Sequence, residues 1–347
     1  MTAYIRVLLL SLFMLLSAER AATAEQPKMS SFVRNTQGTI VNVAVPTPGA
    51  QPVTVGIYGI NVYNLDLRSS TYSLTAYMWL RWKGDFDPVE SLDFINLVKD
   101  SELTKKKLLE TPTVLKNGEK YMAIRLDGSF FQPFDLNNYP LDKQELALYV
   151  ENSTDTYEKI CYVPDNSSTG YDVGLQVPGW KVSGLQTSSY LHDYGTDFGE
   201  KGQEAASKYS GIKFSLQLDR HINFFIWKLM VPLLIILMTN WLTLLLHPTF
   251  FEVRTAMPAT ALLTVVFLQQ SALDAIPGCS SLVLMDKIYL LAYFCIAMTL
   301  LQIIIINTKL DKESEASIQK MIKVDKISFA AQILFFIVVY IALLIQL

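Results

Sequence analysis

Three cysteines and three histidines in 347 residues leave little material for metal or thiol chemistry. His192, His221 and His247 are scattered with no metal-ligand spacing. The chain also has no nucleophile motif and no glycine loop that cradles phosphate, so a membrane enzyme lacks its catalytic constellation and no cofactor is indicated. Cys161 lies in a polar half, whereas Cys279 and Cys295 lie in or beside apolar segments, which argues against a disulfide framework. Charge is scarce too. Asp, Glu, Lys and Arg make up 18% of the chain, against about 25% in an average soluble protein. The deficit is local: from Asn223 to Asn307 the charged residues are Lys228, Glu252, Arg254, Asp274, Asp286 and Lys287, and from Ile327 to Leu347 there are none. A simple soluble enzyme and a disordered chain are both excluded. A net charge of −3 offers no footprint for nucleic acid.

What is present divides into a leader and two domains. Residues 1–24 read as a secretory signal, with Arg6, an apolar core from Val7 to Leu16 and a small-residue site at Ala22-Thr23-Ala24. That core is shorter than the ~20 residues a span needs. Residues 25–52 are loop-like and proline-rich. From Val53, short β-branched and aromatic runs alternate with turn-rich stretches, as in Tyr72 to Trp82, Glu145 to Val150 and Ile212 to Leu218. This pattern predicts an all-β, immunoglobulin-like sandwich as an extracellular domain over 25–221. Leu103 to Glu110 reads equally as a short helix or a loop.

Residues 222–347 predict an all-α four-helix transmembrane bundle, with spans near 223–246, 255–273, 282–307 and 326–347. Pro277 and Gly278 mark a tight turn in the Asp274 to Ser281 linker. The 308–325 linker carries Lys309, Lys312, Lys320 and Lys323. Exported sandwich and four spans together place this linker in the cytoplasm, as the positive-inside rule expects, and leave the C-terminus outside. The expected location is the cell (inner) membrane.

The second span is unlike the others. At helical spacing Glu252, Ala256, Thr260, Leu263, Phe267, Gln270 and Asp274 fall on one stripe. Lipid does not tolerate Thr and Gln without partners, so this stripe meets protein or water. One reading is a helix–helix seam glued by Thr260 and Gln270. The other is the lining of a pore formed by several copies around an axis. In that case Glu252 and Asp274 are rings of carboxylates that favour cations, and Leu263 and Phe267 are apolar rings that block ions by dewetting. Arg254 must then point away from the axis.

The chain resembles the pentameric ligand-gated ion channels, the Cys-loop receptor superfamily, and especially its bacterial branch. The most specific element is Tyr139-Pro140-Leu141-Asp142-Lys143-Gln144, similar to the family's aromatic-Pro-aromatic/apolar-Asp-x-Gln signature. The flanking cysteines of animal receptors correspond here to Gln132 and Leu146, so the namesake disulfide is absent. Trp82, Phe94-Ile95-Asn96, Gly128-Ser129-Phe130, Pro232, Leu262 to Val266 and Pro277 also match. The resemblance implies a homopentamer embedded in membrane lipids, passing monovalent cations when a small-molecule agonist or protons act. It implies a ligand site between sandwiches, with Phe94, Glu151, Asn152, Ser153, Tyr194, Phe198 and Tyr209 on one face and Tyr77 and Trp79 on the other. Rings around an acid suit an ammonium group; a carboxylate, an aromatic acid and protons stay open as agonists. It implies coupling through Asp66, Asp142, Arg220 and Pro277, with Asp142 and Arg220 as a strut. A membrane-anchored ligand-binding sensor without a pore is the rival reading.

Overall fold

The computed structural model describes residues 39–42, 49–196, 208–273, 282–310 and 313–345. The leader, Phe198, Asp274, Pro277 and Cys279 lie outside the described residues. The described residues hold twelve strands in chain order: β1 (Thr39–Asn42), β2 (Gln51–Asp66), β3 (Thr71–Trp82), β4 (Leu92–Phe94), β5 (Thr104–Lys107), β6 (Thr113–Val114), β7 (Lys120–Phe131), β8 (Lys143–Asn152), β9 (Ile160–Pro164), β10 (Gly170–Tyr171), β11 (Trp180–Asp193) and β12 (Lys208–Arg220). One sheet runs β1-β11-β12-β8-β4 and the other β10-β2-β3-β7-β5, with β6 added to β7 and β9 to β2. The two sheets form a β-sandwich.

Alternation builds this sandwich. On β8, Leu146, Leu148 and Val150 enter the core while Glu145 and Tyr149 face outward. On β3, Met78, Leu80 and Trp82 point in, and Tyr77 and Trp79 point out. Inner residues of both sheets form one apolar core with Val53, Val55, Met122, Ile124, Leu126 and Phe214. Burying each such side chain contributes about 1.5–3 kcal/mol. The Leu103 to Glu110 segment left open between helix and loop forms the strand β5 and a bend after it; the short helical turn nearby (Asp100–Glu102) precedes it. All four residues of the strand's Thr-Lys-Lys-Lys lie on the exposed side, as suits an edge strand whose charges discourage further pairing.

Among the described residues, four helices follow that are long and apolar enough to cross a membrane. The first, α1 (Val231–Leu242), continues a π-helical stretch (Ile226–Met230) and ends in a 3-10 turn (Thr243–Leu245). Then come α2 (Phe251–Leu273), α3 (Leu284–Lys309) and α4 (Glu315–Ile345). α2 runs through Pro258 without a break. α4 begins eleven residues before the expected start of the last span, so most of the supposed 308–325 linker is helix. The reason is local: residues 315–325 carry Glu, Ala, Gln, Lys and Met but neither Pro nor Gly, and nothing stops the helix propagating.

Sandwich and bundle are in direct contact. Leu67 of the β2–β3 turn and Phe134 pack against both apolar clusters. Leu136 and Tyr139 of the signature loop belong to the bundle's cluster. That loop also caps α3, because Leu284 N–H donates to the Asn137 carbonyl (3.1 Å) and Met285 N–H to the Tyr139 carbonyl (3.3 Å).

Candidate functional site

Three regions carry polar chemistry that the fold assembles. The first is on the outer face of the β1–β4 sheet. Register places Tyr190, Gly211, Glu151 and Asp93 in one row across four strands. Glu151 is 2% exposed yet fully engaged. Its Oε1 accepts the Tyr190 hydroxyl at 2.8 Å and lies 2.8 Å from His192 Nδ1, and its Oε2 accepts the Tyr194 hydroxyl at 2.8 Å. Residues 190, 192 and 194 share a face because the strand repeats every two residues. Burial, then the Glu151 charge, push the Tyr190 and Tyr194 hydroxyls well above the ordinary tyrosine range, so both remain donors.

Gly211 makes the row possible. A Cβ there would lie 2.3 Å from the Tyr190 ring, which crosses the glycine to reach the carboxylate on the strand beyond. The same device recurs on the other sheet. Trp79 lies across Gly56, where a Cβ would meet the indole at 2.3 Å, and donates Nε1–H to Asp165 Oδ2 at 3.0 Å. Arg81 reaches the same oxygen at 2.9 Å, and Ser167 donates to Oδ1. Burial raises the Asp165 carboxyl, but the Ser167 and Trp79 hydrogen bonds and the Arg81 charge outweigh it and hold the group below the ordinary carboxylate range.

An open cleft of about 340 Å³ lies beside Glu151, lined by Asp93, Glu151, Asn152, Ser153, Tyr194 and Tyr209. His192 stacks on Tyr194 at 3.8 Å, and Tyr209 meets the same ring edge-on at 5.7 Å. The expected Glu151, Asn152, Ser153, Tyr194 and Tyr209 are therefore gathered together. Asn152 itself is buried, taken up by Ser91 and by the N–H groups of Thr154 and Asp155. Phe94 is not at the cleft. It is 3% exposed in the core, against Phe130, and the residue facing the cleft is Asp93. The correction is one of parity: in a three-residue strand an assignment one position off turns the side chain to the opposite face. Tyr77 and Trp79 sit outward on the other sheet, so a single chain does not bring them to this cleft.

The second region joins sandwich to bundle. Arg220, the last residue of β12, donates Nε–H to Asp142 Oδ1 at 2.5 Å and Nη2–H to Oδ2 at 2.9 Å. Its guanidinium also covers Trp180 at 4.0 Å and Tyr139 at 4.9 Å. Gln144 donates to Asp142 Oδ2 at 2.6 Å and to the Asp135 carbonyl at 2.6 Å. The signature's Asp-x-Gln spacing thus puts both side chains on one face. Asp66 is not part of this cluster. It closes its own turn by accepting from Arg68 N–H and the Ser69 hydroxyl. Where a disulfide would link positions 132 and 146, the Ala147 N–H donates to Gln132 Oε1 at 3.2 Å instead.

The third region is α2. Glu252, Ala256, Thr260, Leu263, Phe267 and Gln270 are all exposed on the single chain, with Leu263 at 57% and Phe267 at 65%. The opposite stripe, Arg254, Pro258, Ala261, Val265 and Ala272, is buried in the bundle. Arg254 is 1% exposed and donates Nη2–H to Asp325 Oδ2 of α4 at 2.7 Å. Gln302 of α3 donates to Asp325 Oδ1 at 2.9 Å. Near the other end, Tyr289 and Tyr293 of α3 hold α2 through the Leu268 carbonyl and Gln269.

Comparison with known proteins gives a consistent answer. A proton-gated ion channel of Gloeobacter violaceus is 25% identical over 224 residues, covering 57% of this chain and 58% of that protein. A gamma-aminobutyric acid receptor subunit beta of Lymnaea stagnalis is 21% identical over 193 residues, 55% of this chain and 37% of that subunit. A gamma-aminobutyric acid receptor subunit beta-4 of Gallus gallus is 23% identical over 275 residues, 72% of this chain and 54% of that subunit. The chain is homologous to the pentameric ligand-gated channels of the Cys-loop superfamily. Its matches span less than two thirds of each of these relatives. No family model matches the chain.

The sequence did not single out Tyr190, Asp93, Asp165, Trp180 or the Arg254–Asp325 contact. For Tyr190 a signal was available in the alternating Tyr-x-His-x-Tyr run that ends in Tyr194. For Asp325 there was none, since its partner lies 71 positions away.

Proposed function

We propose that the chain is one subunit of a homopentameric, cation-selective, ligand-gated ion channel of the cell membrane, with the sandwich and the C-terminus outside. The observation that carries this reading is the disposition of α2. Its stripe of Glu252, Thr260, Leu263, Phe267 and Gln270 is left uncovered by its own bundle, while the cation two residues from Glu252 is turned inward. Thr260 returns its hydroxyl to the Ala256 carbonyl at 2.9 Å, but the exposed Glu252 carboxylate and Gln270 amide need water or protein against them. Symmetric copies around an axis supply both. Glu252 and Asp274 then ring the inner and outer mouths, and Leu263 and Phe267 form the closed gate.

Agonist capture is assigned to the Asp93–Tyr194–Tyr209 cleft, completed by Tyr77 and Trp79 of a neighbouring subunit. Two carboxylates in register, Glu151 and Asp93, favour a compact ammonium ligand over an anionic one. Three donors already occupy Glu151, so it organises the rings, and Asp93 supplies the accessible charge. Asp142 and Arg220 transmit the movement to the bundle, with Pro277 in the adjoining linker. Planar-bilayer recording of purified protein during a screen of amines and pH tests the reading. Ligand-evoked current with a cation reversal potential supports it, and absence of conductance with no five-fold assembly leaves the sensor reading in its place.

A further inference from the structure

The cation buried beside the proposed selectivity ring needs an explanation. Taking a guanidinium out of water is costly unless a carboxylate compensates it. Arg254 has one such partner, Asp325, and that partner comes from α4. The compensation is incomplete, because Arg254 Nε is buried with no hydrogen-bond partner among the described residues. The side chain is therefore held at its far end, by one carboxylate that Gln302 in turn steadies. On the same helix Glu252 is exposed on the single chain, and in the channel reading it meets water at the inner mouth, within reach of a long, flexible stem.

We infer that Asp325 is a specificity-determining residue for ion permeation: it acts through Arg254, keeping five positive charges out of the inner mouth so that the Glu252 ring sets the sign of the permeant ion. α4 thereby fixes selectivity without lining the pore. Without the Asp325 charge, Arg254 leaves its dry site for water at the inner mouth, where its charge offsets that of the Glu252 ring through space and the net charge there falls toward zero. This rests on the channel reading above.

The test compares reversal potentials in salt gradients for wild type, Asp325→Asn, and Arg254→Gln combined with Asp325→Asn. The expected result is a fall in cation-over-anion permeability of about tenfold in the single variant, equivalent to about 1.4 kcal/mol. The double variant should recover the wild-type ratio, which a merely structural role of Asp325 would not produce. A single variant that conducts with an unchanged ratio overturns the inference, and so does a double variant that stays unselective. Where Asp325→Asn is not recovered as an assembled protein, Gln302→Ala removes only the steadying contact. A smaller shift in the same sense supports the inference, and an unchanged ratio overturns it. A silent wild-type protein overturns the channel reading itself, and the inference falls with it.

Discussion

Tyr190 reaches Glu151 by passing over a strand that offers it no side chain, ending 2.8 Å from the carboxylate. The contact depends on Gly211 as much as on either partner. Gly211→Ala puts a methyl group 2.3 Å from the tyrosine ring, and neither flanking strand can yield without losing its ladder. The expected outcome is displacement of Tyr190 and an agonist concentration for half activation raised at least tenfold. Tyr190→Phe keeps the ring and removes one of three donors to a buried carboxylate, a loss of about 1–3 kcal/mol. Thermal melts and activation curves of the two variants check both. An alanine variant with a normal melt and a normal curve would remove the row from the site.

The Arg220–Asp142 pair is bidentate, and its guanidinium lies over two aromatic rings. Its side chains are 17% and 1% exposed, so breaking it is expected to destabilise by about 3–5 kcal/mol. Arg220→Ala should abolish agonist-evoked current while particles retain their oligomeric size. Arg220→Lys should not restore it, since an ammonium cannot reproduce the planar fork. Normal currents in the lysine variant would reduce the strut to a plain charge pair.

Asp165 titrates below its ordinary value in the folded state. Its contribution to stability is thus complete above the unfolded pKa of about 3.9 and is lost as pH falls through the lower folded value. The wild-type melting temperature should drop more steeply than that of Asp165→Asn between about pH 5 and pH 3. Parallel slopes would mean the carboxylate is not held by Trp79, Arg81 and Ser167 in the way described.

Glu252→Ala should lower cation preference, read as a shift of reversal potential in a salt gradient. Leu263→Ala should shrink the apolar ring, so that the channel opens at lower agonist concentration or without agonist. An activation curve unchanged by the second substitution would place the gate elsewhere.

Much of this fold is readable in one dimension because its elements obey short periods. Alternation along β3 and β8 separates Met78 and Leu148 from Tyr77 and Tyr149, and the helical stripe of α2 is visible from spacing alone. The signature loop carried its own partner, since Asp142 and Gln144 are two residues apart. Three kinds of feature escaped. Parity in the three-residue β4 is set by pairing with β8, so Phe94 and Asp93 exchange faces if the register is misjudged by one. The start of α4 is marked only by a short polar cap, Ser314, whose Oγ accepts the Ser317 N–H at 3.3 Å, and it lies eleven residues before the expected start of the last span. The glycines at 56 and 211 do not sit in turns at all; they are required by an aromatic side chain arriving from a neighbouring strand, which only the assembled sheet reveals.

The carbonyls of Asn137 and Tyr139 receive the opening amides of α3. That helix is therefore begun by residues belonging to the other domain. A shortened protein holding only the apolar half would present these amides bare at the membrane surface, and its third span would fray from its first turn. Grafting this half beneath a foreign sandwich demands a replacement loop that supplies the same two oxygens.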